Sequence, residues 1–269
     1  MATKSSLFAP KGREIKLRPV HPNAGIEARY RKRLNALIEE MNASIQYWIG
    51  AAYKSNFPAA QDETGTEAMQ RALNAVAAQW QRKFDAGAEK LGDWFAQKTK
   101  SYTDGTLRQV LKESGMTVDF KMTDSMQEAY QAIIGEQVGL IKSIASEHLT
   151  QVQTLVMQSV QKGGDAYGLR KQLEARYGIT RKRAALIARD QNSKATAVIT
   201  RTRQKDLGLT MAIWRHSHAG KVPRPSHLAA DGKRYEIDKG MFLDGVWTFP
   251  GVEINCRCIS ISVIPGYND

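Results

Sequence analysis

Cysteine is nearly absent from this chain. There are two in 269 residues, Cys256 and Cys258, one residue apart, so no disulfide framework holds the fold. A bridge between them would close a strained ring, and both are expected as reduced thiols. Long apolar runs are also missing. No stretch approaches the roughly 20 residues that a membrane-crossing helix needs, and no membrane partner is expected. The opening Met1-Ala-Thr-Lys-Ser-Ser has no apolar segment of the secretory kind, so the expectation is a protein made and kept in a cytoplasm, or inside something assembled there. No internal repeat and no low-complexity tract is present.

Acid is in short supply relative to base. Lys and Arg number 39 against 27 Asp and Glu, a formal net charge of +12. The excess sits in two segments. Residues 1–33 hold nine bases against two acids, and residues 170–205 hold eleven against two, which leaves the rest slightly acidic. Two basic segments on such a body suggest a polyanion partner. Candidate contacts are Arg170, Lys171, Arg176, Arg181, Lys182 and Arg183. Tyr177 is the one aromatic in the second segment, so base stacking is not expected. Sequence-independent phosphate contact with double-stranded DNA fits better. The plain alternative is a solvated helix face. A hydrophobic content of 42% and a charged content of 25% are ordinary for a soluble globular protein, and the length suits one large domain or two ordinary ones.

The apolar pattern predicts an α+β protein: an elongated, mainly helical body followed by a small α+β or mostly β module. Residues 1–23, with Pro10, Pro19 and Pro22, read as an extended basic arm, 24–164 as the helical body and 165–269 as the module. One stripe runs Ile26, Tyr30, Leu34, Leu37, Met41, Ile45, Trp48, Ala52, and a second runs from Met69 to Phe95 at the same three-and-four spacing. Thr64 to Glu67 resembles a capping box. A loop or short helix is expected over 100–121. Asp124 caps a third helix of about 40 residues, roughly 60 Å long, stopped by Gly163-Gly164. His148 beside its stripe reads as a surface or boundary histidine. A short helix over 166–177 is expected to break at Gly178-Ile179-Thr180, with Thr180 capping another that runs to Leu207 and stops at Gly208. There Arg181-Lys182-Arg183 would sit in a first turn, against the macrodipole.

After Gly208 the period changes. Leu209 to Arg215, Arg234 to Ile237, Val246 to Phe249 and Cys258 to Ile264 read as short strands. This module holds His216, His218 and His227 together with both cysteines. Residues two apart on a strand share a face. If the strands bearing His216/His218 and Cys256/Cys258 are neighbours, four ligands converge in a shell that zinc prefers, with His227 as a fifth candidate or a supporting group. The objection is spacing: alternate side chains on an ideal strand lie about 6–7 Å apart, so a turn or bulge at Arg257 is required. The competing reading makes the thiols small buried hydrophobes and the histidines hydrogen-bonding loop residues. A Cys/His dyad or a metal-dependent nuclease is the enzymatic alternative. It is weakened by the lack of an acid cluster; Asp231, Asp238 and Asp244 read as solvated turn residues.

The helix with Ala184-Ala185-Leu186-Ile187-Ala188-Arg189-Asp190, then Trp214, Pro223-Arg224-Pro225-Ser226-His227, Asp231-Gly232-Lys233, Pro250-Gly251 and Asn255-Cys256-Arg257-Cys258, in this order, resembles the phage Mu F-like head morphogenesis family. The resemblance covers roughly residues 165–265. It implies a minor structural protein of a tailed double-stranded DNA phage head. Such a protein associates with portal, inner capsid or scaffold proteins and aids assembly or DNA packaging and delivery. It implies residence in the virion, at the head interior or portal vertex, and in the host cytoplasm during assembly. It also implies metal binding, from the His and Cys content, with structural zinc as the possible cofactor. By matching position the signature is Trp214, Arg224, His227, Gly232, Pro250, Asn255, Cys256, Arg257 and Cys258. No catalytic residue carries over, and the chain is read as no enzyme. Arg224 and Arg257 are expected to anchor the module through bonds to carbonyls or carboxylates. The metal candidates are His216, His218, His227, Cys256 and Cys258. A general DNA-binding module remains a third reading.

Overall fold

The computed structural model describes residues 14–56, 65–162, 165–218 and 222–266. Four long helices, α1 (Ala24–Asn56), α2 (Gly65–Glu113), α3 (Asp124–Gln161) and α4 (Ala166–Asp206), precede the short helix α5 (Pro225–Ala229). The strands are β1 (Ile15–Lys16), β2 (Met211–Arg215), β3 (Arg234–Glu236), β4 (Met241–Leu243), β5 (Val246–Thr248) and β6 (Ile259–Ile264). The α+β reading holds: a mainly helical chain with small sheets near its C-terminal end. Contacts divide it into two compact units. One comprises residues 27–94 and 134–188; the other comprises residues through 26, 95–133 and those from 189 onward. The division falls inside the long helices and not at residue 164.

The helical unit, 27–94 and 134–188, buries one stripe per helix. On α1 the buried positions are Tyr30, Leu34, Ile38, Met41, Ile45, Ile49 and Tyr53. Ile38 and Ile49 take the places expected for Leu37 and Trp48, and Trp48 is 51% exposed. The true 3.6-residue repeat drifts against a pattern read in whole steps. Buried polar contacts punctuate the stripes. Tyr30 donates to Gln137 Oε1 at 2.9 Å and Tyr53 donates to Ser159 Oγ at 2.6 Å.

Three expectations fail here for tertiary reasons. Helix α4 does not break at Gly178. The Thr180 hydroxyl donates back to the Arg176 carbonyl at 3.1 Å and pairs with His148 Nδ1 at 2.8 Å. A mid-helix glycine costs only about 1 kcal/mol, and buried Leu169, Leu173, Ala184 and Ile187 hold both halves. Thr180 is therefore a helix-interior residue and no cap. Arg181-Lys182-Arg183 lie mid-helix and meet no macrodipole penalty. His148 is 1% exposed, a core histidine and no boundary residue.

The sheet-bearing unit contains residues 14–26, 95–133 and 189–266. Helix α2 continues through the segment expected as a loop, because Phe95, Thr99, Thr103, Leu107, Val110 and Leu111 are buried on it. It ends where Gly115, at φ +83°, lets the Met116 N–H donate to the Leu111 carbonyl at 2.9 Å. The main sheet is antiparallel, ordered β1-β6-β2-β3. Register pairs Ala212 with Ser262 and Arg215 with Ile259. Of the expected arm, residues 1–13 lie outside the described residues. Residues 14–23 are extended as expected but tied down, through β1 and through buried Leu17 and Val20. The Thr64 cap and the Gly163-Gly164 stop also lie outside. Strands β4 and β5 form a hairpin closed by Asp244-Gly245, both left-handed at φ 51° and 83°, as a type I′ turn requires.

A buried guanidinium knits this unit. Arg203, fully buried, clamps Asp104 with Nε to Oδ1 at 2.7 Å and Nη2 to Oδ2 at 2.9 Å. Its Nη1 reaches the Lys121 carbonyl at 2.7 Å and Asp206 at 3.0 Å. Burial opposes charge on Asp104, but bonds from Arg203 and Lys100 outweigh it and hold the carboxyl below its usual range.

Candidate metal centre

Three short segments of the sheet-bearing unit converge. The first is the end of β2. Trp214, wholly buried, receives the Gly232 N–H on its carbonyl at 2.8 Å, and Gly232 is left-handed at φ 78°. The second is α5, which opens with Pro225 at its first turn, a position where a missing N–H costs nothing. It carries His227, 3% exposed, edge-on to Trp214 with ring centroids 5.2 Å apart. The third is the turn from Pro250 to Cys258. Gly251 and Asn255 are left-handed at φ 83° and 61°. A Cβ on Gly251 would lie 3.0 Å from the Ala197 Cβ and from the Cys258 carbonyl oxygen, so glycine is needed twice over. Helix α4 steers Asn255: Asp190 accepts its backbone N–H at 2.6 Å and Arg189 donates to its side-chain oxygen at 3.1 Å. Arg224 donates to the Ile254 carbonyl at 2.9 Å, the anchoring bond expected of it.

This turn removes the spacing objection. Cys256 and Cys258 precede β6 and follow a left-handed residue, so they are not alternate residues of an ideal strand. Their sulfurs and one nitrogen of His227 all lie within 4.8 Å of one another. His227 Nδ1 is 3.5 Å from Cys256 Sγ and 3.7 Å from Cys258 Sγ. With zinc–nitrogen bonds of about 2.0–2.1 Å and zinc–sulfur bonds of about 2.3 Å, a tetrahedral ion separates N and S by ~3.6 Å. Donor chemistry and separations both fit zinc. Backbone amides also favour a thiolate here. The Gly251 N–H donates to Cys256 Sγ at 3.3 Å, the Cys258 N–H bonds the same sulfur, and the Ser217 N–H bonds Cys258. The contact with Cys258 lowers the Cys256 thiol well below the usual range, and the same contact pushes Cys258 up. One proton is thus shared by a pair that ionises in sequence.

His216 and His218 do not join the three. His216 borders the same cavity, but its Nδ1 accepts the His218 backbone N–H at 3.0 Å. His218, left-handed at φ 53°, turns its Nε2 to Asp231 Oδ2 at 3.1 Å. Asp231 Oδ1 accepts the His216 backbone N–H at 2.9 Å, and that bond, ahead of the His218 contact, lowers its carboxyl. Burial lowers the His216 imidazole, and His218 adds to it. Asp231 is therefore a hub and not a solvated turn residue. Asp244 accepts from Ser226 at 2.6 Å and Asp238 pairs with Lys205 at 2.7 Å, but both stay exposed in turns, so the solvated reading fails for Asp231 alone. A hub role for Asp231 escaped the sequence because its partners lie 13 and 15 positions upstream, with no periodic signal.

The basic candidates lie on α4 in the helical unit. Arg176 and Arg183 are engaged by Glu147 at 2.8 and 3.1 Å. Arg170, Lys171, Arg181 and Lys182 are exposed; Lys171 lies over the Tyr167 ring at 4.5 Å and Arg181 over Tyr177 at 5.6 Å. This unit also holds the larger cavity, about 470 Å³, whose lining includes Tyr53, Arg170 and Glu174 but neither thiol nor imidazole.

A small antiparallel sheet module with a buried Cys₂His cluster, borne on long helices, is the class of protein so defined. Residues 150–261 match the family model described as Phage Mu protein F like protein, which upholds, over that stretch, the resemblance carried by the Arg224–His227 and Asn255–Cys258 elements. The chain is also similar to an uncharacterized protein of Haemophilus influenzae, at 29% identity over 259 residues. That match covers 94% of this chain and 57% of the relative, so the chain spans a little over half of the relative's length. No solved structure matches.

Proposed function

We propose that this chain is a minor structural protein of a tailed double-stranded DNA phage head. In this reading it sits at the portal vertex or inner capsid, meets portal, capsid or scaffold proteins, and aids head assembly or DNA packaging and delivery. The observation that carries it is the match of residues 150–261 to the Mu F-like family. The test is composition of purified heads. Heads from an induced lysate should contain the polypeptide by mass spectrometry, and deleting its gene should lower the yield of filled heads. Purified heads that never contain it would end the reading.

Within this role the Cys₂His cluster acts as a structural clasp. His227, Cys256 and Cys258 would hold zinc, which when bound supplies cross-linking of α5 to the turn before β6. The chain's own residues do the rest. Trp214 seals the imidazole from water, and the Gly251, Cys258 and Ser217 amides stabilise thiolate charge. Two thiols and an imidazole are soft donors, poorly suited to magnesium, which favours a scaffold over a magnesium nuclease.

A DNA-contacting face is supported by a specific observation: four exposed cations, Arg170, Lys171, Arg181 and Lys182, on α4. If each meets one phosphate, log affinity should fall with log salt at a slope of roughly −3 to −4. A flat salt response would remove DNA from the list of partners.

A further inference from the structure

Zinc completes a shell of four, and the clasp supplies three donors. Among the described residues no further His, Cys, Asp or Glu joins that cluster, and the undescribed loop Ala219-Gly220-Lys221 contains none of these types. His216 is the nearest remaining imidazole. Its Nδ1 already accepts the His218 N–H at 3.0 Å, and it lies outside the group of three converging donors.

The space beside the three donors is a cavity of about 260 Å³. Besides the cluster its lining includes His216, Ser217, Arg224, Asn255 and Arg257, and no carboxylate. Two thiolates and a neutral imidazole cancel a divalent ion's charge, so an arriving anion leaves one negative charge in a cavity lined by Arg257 and by Arg224, one of whose nitrogens bonds the Ile254 carbonyl. Arginine recognises planar carboxylates through paired N–H donors. The volume falls below the ~300 Å³ at which pockets for drug-sized ligands begin, which suits a carboxyl group with a few carbons.

We propose that the clasp keeps an open coordination position facing the Arg224/Arg257 cavity, and that this position takes a carboxylate. The proposal rests on the clasp reading above. The carboxylate comes either from a small free acid or from an acidic side chain of a docking protein. In the second case the centre is a point of attachment as well as a staple.

Cobalt(II) is the probe, because its spectrum reports coordination without any activity. The full-length chain is loaded with cobalt and titrated first with acetate, then with a short peptide blocked at both ends and bearing one glutamate. The expected result is a thiolate-to-cobalt charge-transfer band before titration, and a saturable shift of the visible ligand-field bands on adding a carboxylate. Arg257→Gln should raise the acetate concentration needed by about tenfold, the loss of one charge-assisted contact. Tighter binding of the peptide than of acetate assigns the site to a protein side chain; the reverse assigns it to a free acid. A charge-transfer band with no response to either carboxylate overturns the open position and leaves the clasp standing. No charge-transfer band at all overturns the clasp, and the open position with it.

Discussion

The helical unit buries its polar groups in small local contacts, whereas the sheet-bearing unit gathers them into two many-armed centres. Tyr30–Gln137, Tyr53–Ser159 and His148–Thr180 lie at separate points along the helix stripes, and Ser159 and Thr180 each donate onward to one carbonyl, that of Asp165 and of Arg176. Each can be lost alone, at the modest net value of a single hydrogen bond, about 1 kcal/mol. In the other unit Arg203 joins Asp104, Lys121 and Asp206, and His227, Cys256 and Cys258 meet at one point. The difference follows from secondary structure. Long helices satisfy their own backbone and need only stripes to pack. Strands of two to six residues and left-handed turns bury too little to hold themselves together, and the Cys₂His centre compensates there, while the Arg203 network ties α2 to α4. Substitution should therefore be graded in the helical unit and abrupt in the sheet-bearing one.

The largest test is the clasp. Structural zinc contributes an apparent ~10–16 kcal/mol in small zinc-dependent folds. The double variant Cys256→Ser/Cys258→Ser, or a chelator, should strip amide protection from residues 211–264 in hydrogen exchange while leaving 27–94 protected. A double variant that melts and exchanges like the parent would sink the comparison at its root.

The ion network comes next. Arg203→Met leaves the Asp104 carboxylate buried with only Lys100 beside it, a change that costs about 3–5 kcal/mol. Arg203→Met with Asp104→Leu should recover most of that, because neither charge is then stranded. Hydrogen exchange across 100–113 checks both; equal damage from the single and double variants would show that the pair is not coupled. Since Asp104 is held low, its contribution is present above the ordinary carboxylate range of ~3.9 and lost only as pH falls below it.

Much of the helical unit was legible beforehand because its signal is local and repeated: Met41, Ile45, Met69, Leu73 and Phe84 sit where the period puts them. What escaped was set by distant partners. The period is kept beyond Phe95 by the polar residues Thr99 and Thr103, which an apolar count passes over. Gly178 reads as a breaker only until His148 and Thr180 are brought together across 32 positions. At the site, His227, Cys256 and Cys258 were named from residue type and spacing, and Asn255 carries a visible trace as the residue able to turn left-handed before Cys256. The exclusion of His216 and His218 was not visible, because it depends on Asp231 and on a backbone hydrogen bond.

A smaller effect separates the units by pH. Burial, ahead of the nearby Arg176 charge, lowers His148 to about 4 from an ordinary 6.5. The unfolded chain therefore binds the proton first. The helical unit should be most stable above pH 6.5 and lose on the order of 2–3 kcal/mol as pH falls from 6.5 to 4. His148→Gln should abolish that slope in urea melts followed by exchange within 141–156. An unchanged slope would move the titration to another group.

The smallest expected effect is at the surface of the helical unit. Lys83 reaches Glu40 at 2.5 Å, with side chains 47% and 57% exposed, and its ammonium also lies over the Trp80 ring at 4.5 Å. Two variants divide these contributions. Glu40→Gln removes only the ion pair, which at such exposure is worth about 0.2–1 kcal/mol and is screened by salt. Lys83→Met removes the cation from the ring as well, adding about 0.5–1 kcal/mol. Urea midpoints at low and high salt separate the two, since the ion pair fades with salt while contact with a largely buried ring fades less. If Glu40→Gln alone costs more than about 2 kcal/mol, this pair behaves like the Arg203 network, and the contrast between local and networked polar groups fails at the surface where it should be plainest.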